Sequence, residues 1–496
     1  MEFWGIERQK HILQDVIVDI YTLSLISLIS SSPISSHREE EQSKPSYLTM
    51  LLSHRYSKVA TTILFVVAQI WLTVNSFSEE DEIHSLPGQP PAEFRQYGGY
   101  ITVDDENQRA LFYYFVEAEG DYMSKPLVLW LEGGPGTSSV GAGAFVEHGA
   151  FKLRENALVK NDYSWNKEAN MLYLEFPAGV GFSYSSNQSF YGSVNDEITA
   201  RDNLVFLQRW FNKFPEYKNN AFFIAGESYG GHFVPQLAQL IIHTKTQFNL
   251  KGIAVGNPLL EFSTDFNSVG EFLWSHGLIS DSTHQSLTTA CNFSQITRQN
   301  LINKTLTPVC KGVYTQMSQE AGDYLGVVSP CLSTISEVSQ LLKKSQEIDN
   351  YLNRKDVQEA LHAKLIGVTK WSINGREVIK YDIQNAEIPI IPILKELVES
   401  GLQVLVYSGD QDAGIPLTGT RMLVDELAKE MALNPTVPYR SWFQGRQVAG
   451  WTQVYGNNIL SFVTIRGGVH LTSVSQPERY LLVLQAFLQG KPLLHK

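Results

Sequence analysis

The sequence predicts an α/β fold on a mixed, mostly parallel central sheet, and three observations carry that expectation. Near-continuous apolar runs recur along the chain, helical patterns fall between them, and a glycine-flanked serine stands where one run gives way to a helix. The runs are Leu127–Gly133, Asn170–Pro177, Ala221–Ser228, Leu250–Asn257, Leu402–Asp410 and Phe462–Gly468. Runs apolar at nearly every position, rather than at alternate ones, fit strands covered on both faces. The helical patterns include ARDNLVFLQRWFNKFPE after Thr199 and VPQLAQLIIHTKT after Phe233. Strand and helix in alternation imply right-handed crossovers. From Phe262 to Gln346 the rhythm breaks into a Ser/Thr-rich, helix-leaning stretch that holds all three cysteines. It reads as an inserted cap (262–346) dividing a core into 77–261 and 347–496.

Composition narrows the function. The chain has 496 residues, 51 acidic against 39 basic, a net charge of −12, and 43% apolar side chains. It can bury a large core, so disorder is excluded. The acidic balance excludes nucleic acid as a main partner, because phosphate binding needs concentrated Lys and Arg. Three cysteines exclude a disulfide scaffold and leave an odd thiol. No metal cluster or nucleotide loop is evident, so no cofactor or metal is expected.

From Met50 the chain has the layout of a secretory signal peptide. His54, Arg55 and Lys58 precede the apolar run Val59–Val74, and small polar residues follow, with cleavage expected near Ser76. That run has sixteen residues, below the roughly twenty that span a bilayer, so no stable membrane anchor is expected. Residues 1–49 stand awkwardly in front of it, with Asp15 and Asp19 interrupting their apolar stretch. Translation is therefore expected to begin at Met50, with 1–49 an unstructured extension. Three glycosylation acceptors, at Asn187, Asn292 and Asn303, fit a secretory route that ends outside the cell or in a vacuole.

The chemistry begins at Gly226-Glu-Ser-Tyr-Gly230, which closes one apolar run and opens a helix. The glycines allow a strand-to-helix turn sharp enough to expose the Ser228 side chain. A serine hydroxyl needs a base and an orienting acid, and on this scaffold they follow it in the order acid, histidine. Tyr407-Ser-Gly-Asp-Gln-Asp412 ends a later strand and offers Asp410 and Asp412, one of which is expected to cap the next helix. Of the two later histidines, His470 follows a strand, whereas His495 lies in the tail. Gly133 and Gly134, after the first buried run, supply flexible amides that with Tyr229 could hold an oxyanion.

Five ordered motifs extend this reading: WLEGGPGTSS (130–139), PAGVGFSY (177–184), GESYGGH (226–232), YSGDQDAGIP (407–416) and GGVH (467–470). From Ser85 to Pro492 the chain resembles the serine carboxypeptidases, most closely the plant serine carboxypeptidase-like proteins. The resemblance implies an α/β-hydrolase fold with a helical insertion and a triad of Ser228, Asp412 and His470. It implies oxyanion donors at Gly134 and Tyr229. It also implies that Glu227 pairs with the residue before the GG turn, beside Gly133, to bind a substrate's free carboxylate in acid.

The departures are specific. Glu132 stands where the family has asparagine, so a substrate carboxylate would meet two acids, Glu132 and Glu227. Thr137 replaces a cysteine whose partner is expected near Trp371–Gly375 and is also missing. By resemblance Cys291 pairs with Cys310, and Cys331 is left free. Leu471-Thr472-Ser473 replaces the usual Glu-x-Pro after His470, which puts the support of that loop in question. The reading is a secreted serine carboxypeptidase acting on a peptide or small acyl substrate through an acyl-enzyme. Its alternatives are a weakly active or inactive homologue that acts by binding, and an acyltransferase using glucose esters. The sequence leaves homodimerisation open.

Overall fold

The computed structural model describes residues 79–155, 157–322 and 335–495, with the backbone alone for 335–343. The expected extension, the signal peptide and Cys331 lie outside the described residues.

Ten strands lie in line in one sheet. They are β1 (Gln96–Asp104), β2 (Arg109–Val116), β3 (Leu127–Leu131), β4 (Asn170–Leu174), β5 (Phe222–Glu227), β6 (Leu250–Gly256), β7 (Gln403–Gly409), β8 (Pro435–Gln444), β9 (Gln447–Tyr455) and β10 (Leu460–Ile465). The spatial order is β1-β2-β4-β3-β5-β6-β7-β10-β9-β8, with the short strand Tyr184–Ser185 paired to β2 off that line. From β4 to β10 every pairing is parallel, and the wings β1–β2 and β8–β9 are antiparallel.

All six predicted runs are strands, and all end short of their predicted limits. Glu132–Gly133, Ser228, Asn257 and Asp410 leave the sheet at the carboxyl ends of their strands, the edge where ligands bind in such sheets. The wings are not among the predicted runs, although β2 (RALFYYFV) is an unbroken buried one after its arginine; the edge strands β1 and β8 carry no such signal. β1 contains two glycines, and most residues of β8 are exposed or half-exposed, so neither carries an unbroken apolar pattern.

Both faces of the sheet are buried. Leu127, Leu129 and Leu131 of β3 pack into one core cluster, while Val128 and Trp130 pack into the other. That alternation is the period-2 geometry of a strand. Helix α1 (Asp196–Lys213) starts where the Asn195 side chain accepts the Ile198 amide at 2.9 Å, and it packs along α2 (Gly230–His243).

Helices α3 (Phe262–Ser275), α4 (Asp281–Thr289), α5 (Phe293–Leu301) and α6 (Pro308–Ala321) form the insertion. It has its own apolar cluster, with Val269, Leu273, Leu287 and Met317 around a disulfide between Cys291 and Cys310, whose Cα atoms are 5.2 Å apart. The pairing implied by resemblance is therefore present. Among the described residues no helix is long and apolar enough to cross a membrane.

The missing disulfide has a backbone substitute. Thr137 faces Asn374 in an isolated antiparallel bridge, flanked by Ser138 N–H donating to the Ile373 carbonyl (2.9 Å) and Gly375 N–H donating to the Gly136 carbonyl (2.8 Å). Ser138 Oγ (2.5 Å) and Trp371 Nε1 (3.3 Å) both donate to Glu175 Oε1, tying the two segments again. Thr137 and Asn374 form a non-hydrogen-bonded pair, the closer type, with Cα atoms about 4.5 Å apart, which a disulfide can span. The double variant Thr137→Cys/Asn374→Cys is expected to close a bond that adds about 2–5 kcal/mol. The lost Asn374 cap on the Arg376 amide takes away about 1 kcal/mol. Calorimetry should show a melting temperature several degrees higher that falls back on adding reductant; no reductant-sensitive change would mean the two residues do not face each other.

Candidate active site

The nucleophile turn is set by backbone crowding. Ser228 has φ +62°, a left-handed conformation unusual for a residue with a side chain. A methyl group on Gly226 would lie 2.4 Å from the Leu131 carbonyl oxygen, and one on Gly133 would lie 2.5 Å from the Glu227 carbonyl oxygen. Only glycine lets the end of β3 and the turn after β5 approach this closely. The turn is pinned by Ser228 N–H donating to the Gly256 carbonyl (2.9 Å) and Leu259 N–H donating to the Ser228 carbonyl (3.1 Å).

Of the two aspartates, Asp412 is the one at the histidine. His470 Nδ1 donates to Asp412 Oδ2 at 2.8 Å, and the Asp412 side chain is fully buried. An acceptor-only carboxylate at Nδ1 leaves Nε2 free to take a proton. Asp410 Oδ1 instead accepts the Gly467 N–H at 2.7 Å and holds the loop that leads to His470.

Neither aspartate caps the helix Leu417–Glu430, which corrects the expectation from sequence. Its N-cap is Pro416, with no side-chain cap, because Asp412 turns its Oδ1 to the Gly414 amide (2.8 Å). His495 is exposed near the C-terminus. Ser228 and His470 line one cavity, and among the described residues no hydrogen bond joins them. Unliganded sites often hold this contact long until substrate closes it.

The expected oxyanion donors, Gly134 and Tyr229, line the same cavity as Ser228. Gly134 has φ +119°. The Tyr229 ring is fixed from behind. Its hydroxyl donates to Asp196 Oδ1 (3.1 Å), which also accepts from Tyr381, and the ring stacks on His232 with centroids 4.6 Å apart.

Beside Ser228, His470 and Asp412 lies a group of buried acids larger than the sequence suggested. Glu132 and Glu227 are joined by Glu147, at the end of the wide helical segment Ser139–Glu147. Trp130 Nε1 (3.0 Å) and the Gly133 N–H (3.2 Å) donate to the Glu132 carboxyl, so the Gly133 amide is already engaged within the protein. Ser473 Oγ donates to Glu147 Oε2 (2.9 Å), and Asn257 Nδ2 donates to Glu227 Oε1 (3.0 Å).

Among the described residues no N–H or hydroxyl group reaches Glu147 Oε1 or Glu227 Oε2. Glu147 and Glu132 share a hydrogen bond, which requires a proton on one of the two carboxyls. Burial pushes all three acids up, Glu227 to about 8, and each is raised further by charge on a neighbouring acid or held back by its hydrogen bonds. Burial pulls His470 down, but the Asp412 carboxylate, aided by Glu227 and Glu132, outweighs it and lifts the imidazole to about 9.

The variant loop after His470 supports itself through these acids. Thr472 and Ser473 are buried, Thr472 Oγ1 donates to the Val469 carbonyl (3.0 Å), and Asn257 Nδ2 donates to the His470 carbonyl (2.6 Å). Glu147 and Asn257 were missed as site residues. The signal for Glu147 was a lone acid in the otherwise apolar and small stretch Val140–Val146, and for Asn257 a polar residue closing a buried strand. Of the glycosylation acceptors, Asn187 and Asn303 are exposed, and Asn292 is half-buried at the start of α5. Among the described residues no group of three or more His, Cys, Asp or Glu could hold a metal ion.

The sequence profile of the family described as serine carboxypeptidase matches residues 87–490. The chain belongs to the serine carboxypeptidase family. It is 54% identical over 442 residues to serine carboxypeptidase-like 45 of Arabidopsis thaliana, covering 85% of this chain and 95% of that relative. It is 50% identical over 457 residues to serine carboxypeptidase-like 46 of the same plant, covering 88% and 97%. Its fold is similar to the crystal structure of a prohormone-processing carboxypeptidase from Saccharomyces cerevisiae, with a TM-score of 0.70 at 20% identity over 84% of this chain and 98% of that one. The family's α/β-hydrolase fold thus holds the serine, the histidine and both aspartates on one edge of the sheet.

Two outcomes follow from this geometry. Asp412→Asn should slow modification of Ser228 by a fluorophosphonate by roughly 10⁴-fold, because the imidazole loses its tautomer. Asp410→Asn keeps an oxygen for the Gly467 amide and should cost less than about tenfold; equal losses in the two would reverse the assignment. The second outcome concerns stability. Acids raised in the folded state hold protons that the unfolded chain releases, so their contribution is complete at low pH and is lost as pH climbs through the raised values. The melting temperature should fall between about pH 5 and pH 8, and Glu147→Gln should flatten that fall. Parallel curves for the two proteins would show that Glu147 is not protonated in the fold.

Proposed function

We propose that the protein is a secreted serine carboxypeptidase that removes C-terminal residues in acid through an acyl-enzyme. The Asp412–His470 pair, opening on the same cavity as Ser228 and standing beside three buried carboxyls, carries this reading. His470 Nε2 takes the Ser228 proton as Oγ attacks the last peptide carbonyl. The developing oxyanion meets the amides of Gly134 and Tyr229. His470 then passes the proton to the leaving amine, freeing the terminal amino acid and leaving the acyl group on Oγ. Water, deprotonated by the same imidazole, releases the shortened peptide.

Acid is the working condition because the leaving residue carries a carboxylate. A buried carboxyl can receive it only as a protonated donor, since two facing carboxylates repel. Protonating Glu227 and Glu132 also removes two of the charges that raise His470, which brings the base closer to working range. Glu132 is the weak point. Both its oxygens already accept hydrogen bonds, and it can donate only while protonated, where asparagine would donate at every pH. This favours slow turnover of free-carboxylate peptides and keeps acyl transfer from glucose esters as the second reading.

Assay of the secreted protein on N-blocked dipeptides and on glucose esters from pH 4 to 7 tests both readings. Release of the C-terminal amino acid, falling as pH rises, is the expected result; transfer from glucose esters without peptide cleavage would replace it. Glu132→Asn should raise kcat/KM for dipeptides about tenfold or more near pH 6, the worth of a hydrogen bond to a charged group, and widen the profile toward neutral pH. An unchanged rate and profile would mean that Glu132 does not face the substrate carboxylate.

A further inference from the structure

The cavity in front of Ser228 encloses about 860 Å³. Apart from His470, its charged lining consists of one acid, Glu132, and three cations, Lys304, Arg376 and Lys380. In a chain with 51 acidic and 39 basic residues, this wall inverts the overall balance. All three cations are exposed, and among the described residues none has a carboxylate oxygen within 4 Å.

Three acids close by in the sequence are engaged elsewhere, while Glu377, next to Arg376, is exposed. Glu387 pairs with Arg298 (2.5 Å), Asp382 accepts from the Gln384 amide (3.1 Å), and Glu261 caps the start of α3. Arg376 Nη2 donates to the Gly134 carbonyl (2.9 Å), which anchors one arm of the guanidinium to the oxyanion loop; among the described residues its other donors meet no acceptor. Lys380 adjoins the cavity-lining Tyr381, and Lys304 follows α5 in the insertion.

Acids and cations therefore divide the substrate path. If the leaving residue sits over Glu132, Glu147 and Glu227, the residues upstream of the cleaved bond occupy the rest of the cavity, whose charged wall is cationic. We infer that the protein selects peptides carrying acidic side chains immediately upstream of the cleaved bond, with Arg376, Lys380 and Lys304 as the specificity-determining residues. This rests on the carboxypeptidase reading of the site.

Binding separates this inference from turnover. Full-length Ser228→Ala protein would be titrated calorimetrically with N-acetylated tripeptides that share a C-terminal residue and carry Glu, Gln or Lys at the two upstream positions. At low ionic strength the Glu peptides should bind about three- to tenfold more tightly than the Gln peptides, and the Lys peptides more weakly, as expected for a few solvent-facing charge pairs. The gap should close as salt shortens the screening length. It should also close in Lys304→Gln/Lys380→Gln, and further on adding Arg376→Gln. Equal affinity for Glu and Gln peptides, including no measurable binding of either, would overturn the inference, as would a gap that survives all three substitutions. Wild-type protein assayed on the same peptides reports separately on the parent reading, since failure to release any C-terminal residue would count against the carboxypeptidase and leave the binding comparison intact.

Discussion

The interlocking of two glycine-bearing turns is the constraint on which the site depends. The end of β3 and the turn after β5 meet so closely that no side chain fits at Gly226 or Gly133. Everything the cavity presents is referred to that contact. It forces Ser228 into a left-handed conformation, sets Gly134 and Tyr229 in the cavity that Ser228 lines, and carries Glu132 and Glu227 as the residues adjoining each turn. Asn257 transmits the arrangement onward. Its amide nitrogen holds Glu227 and the His470 carbonyl, and its oxygen accepts the Gly409 N–H (2.8 Å), so three strand ends share one carboxamide.

A second constraint is electrostatic, and it works against the first. Burying three carboxyls beside an imidazole is tolerable only when protons are shared among them, because a lone ion in such surroundings is costly. The same charges that stabilise a protonated His470 impair it as a base, so the acids and the histidine make opposing demands near neutrality. Lower pH relieves the conflict by removing the charge on the acids, which weakens the pull that keeps His470 protonated, while Asp412, with its amide partner at Gly414, keeps the imidazole oriented.

Much of this was legible in the sequence because the relevant features are local. Strands covered on both faces leave unbroken apolar runs, and the residues that break each run, Glu132, Ser228, Asn257 and Asp410, are those that leave the sheet at its functional edge. The order of serine, acid and histidine came from topology, but the choice between Asp410 and Asp412 came from resemblance, since both flank the same turn and only side-chain direction separates them. What stayed hidden depends on distant contact. The edge strands β1 and β8 have no unbroken apolar run to betray them. Glu147 reaches the site only because the wide helix Ser139–Glu147 returns to the end of β3. The pairing of Thr137 with Asn374 joins segments more than two hundred residues apart, and once its cysteines are gone no residue type marks it.

That pairing has a consequence for the chemistry of the surroundings. Among the described residues, sulfur chemistry touches only the helical insertion, where Cys291 and Cys310 tie α6 to the loop before α5. The segments around the oxyanion loop are fastened by peptide hydrogen bonds and by Glu175, none of which a thiol can exchange. A reducing medium would therefore loosen the helical insertion before it touched the fastening between the segments of Thr137 and Asn374.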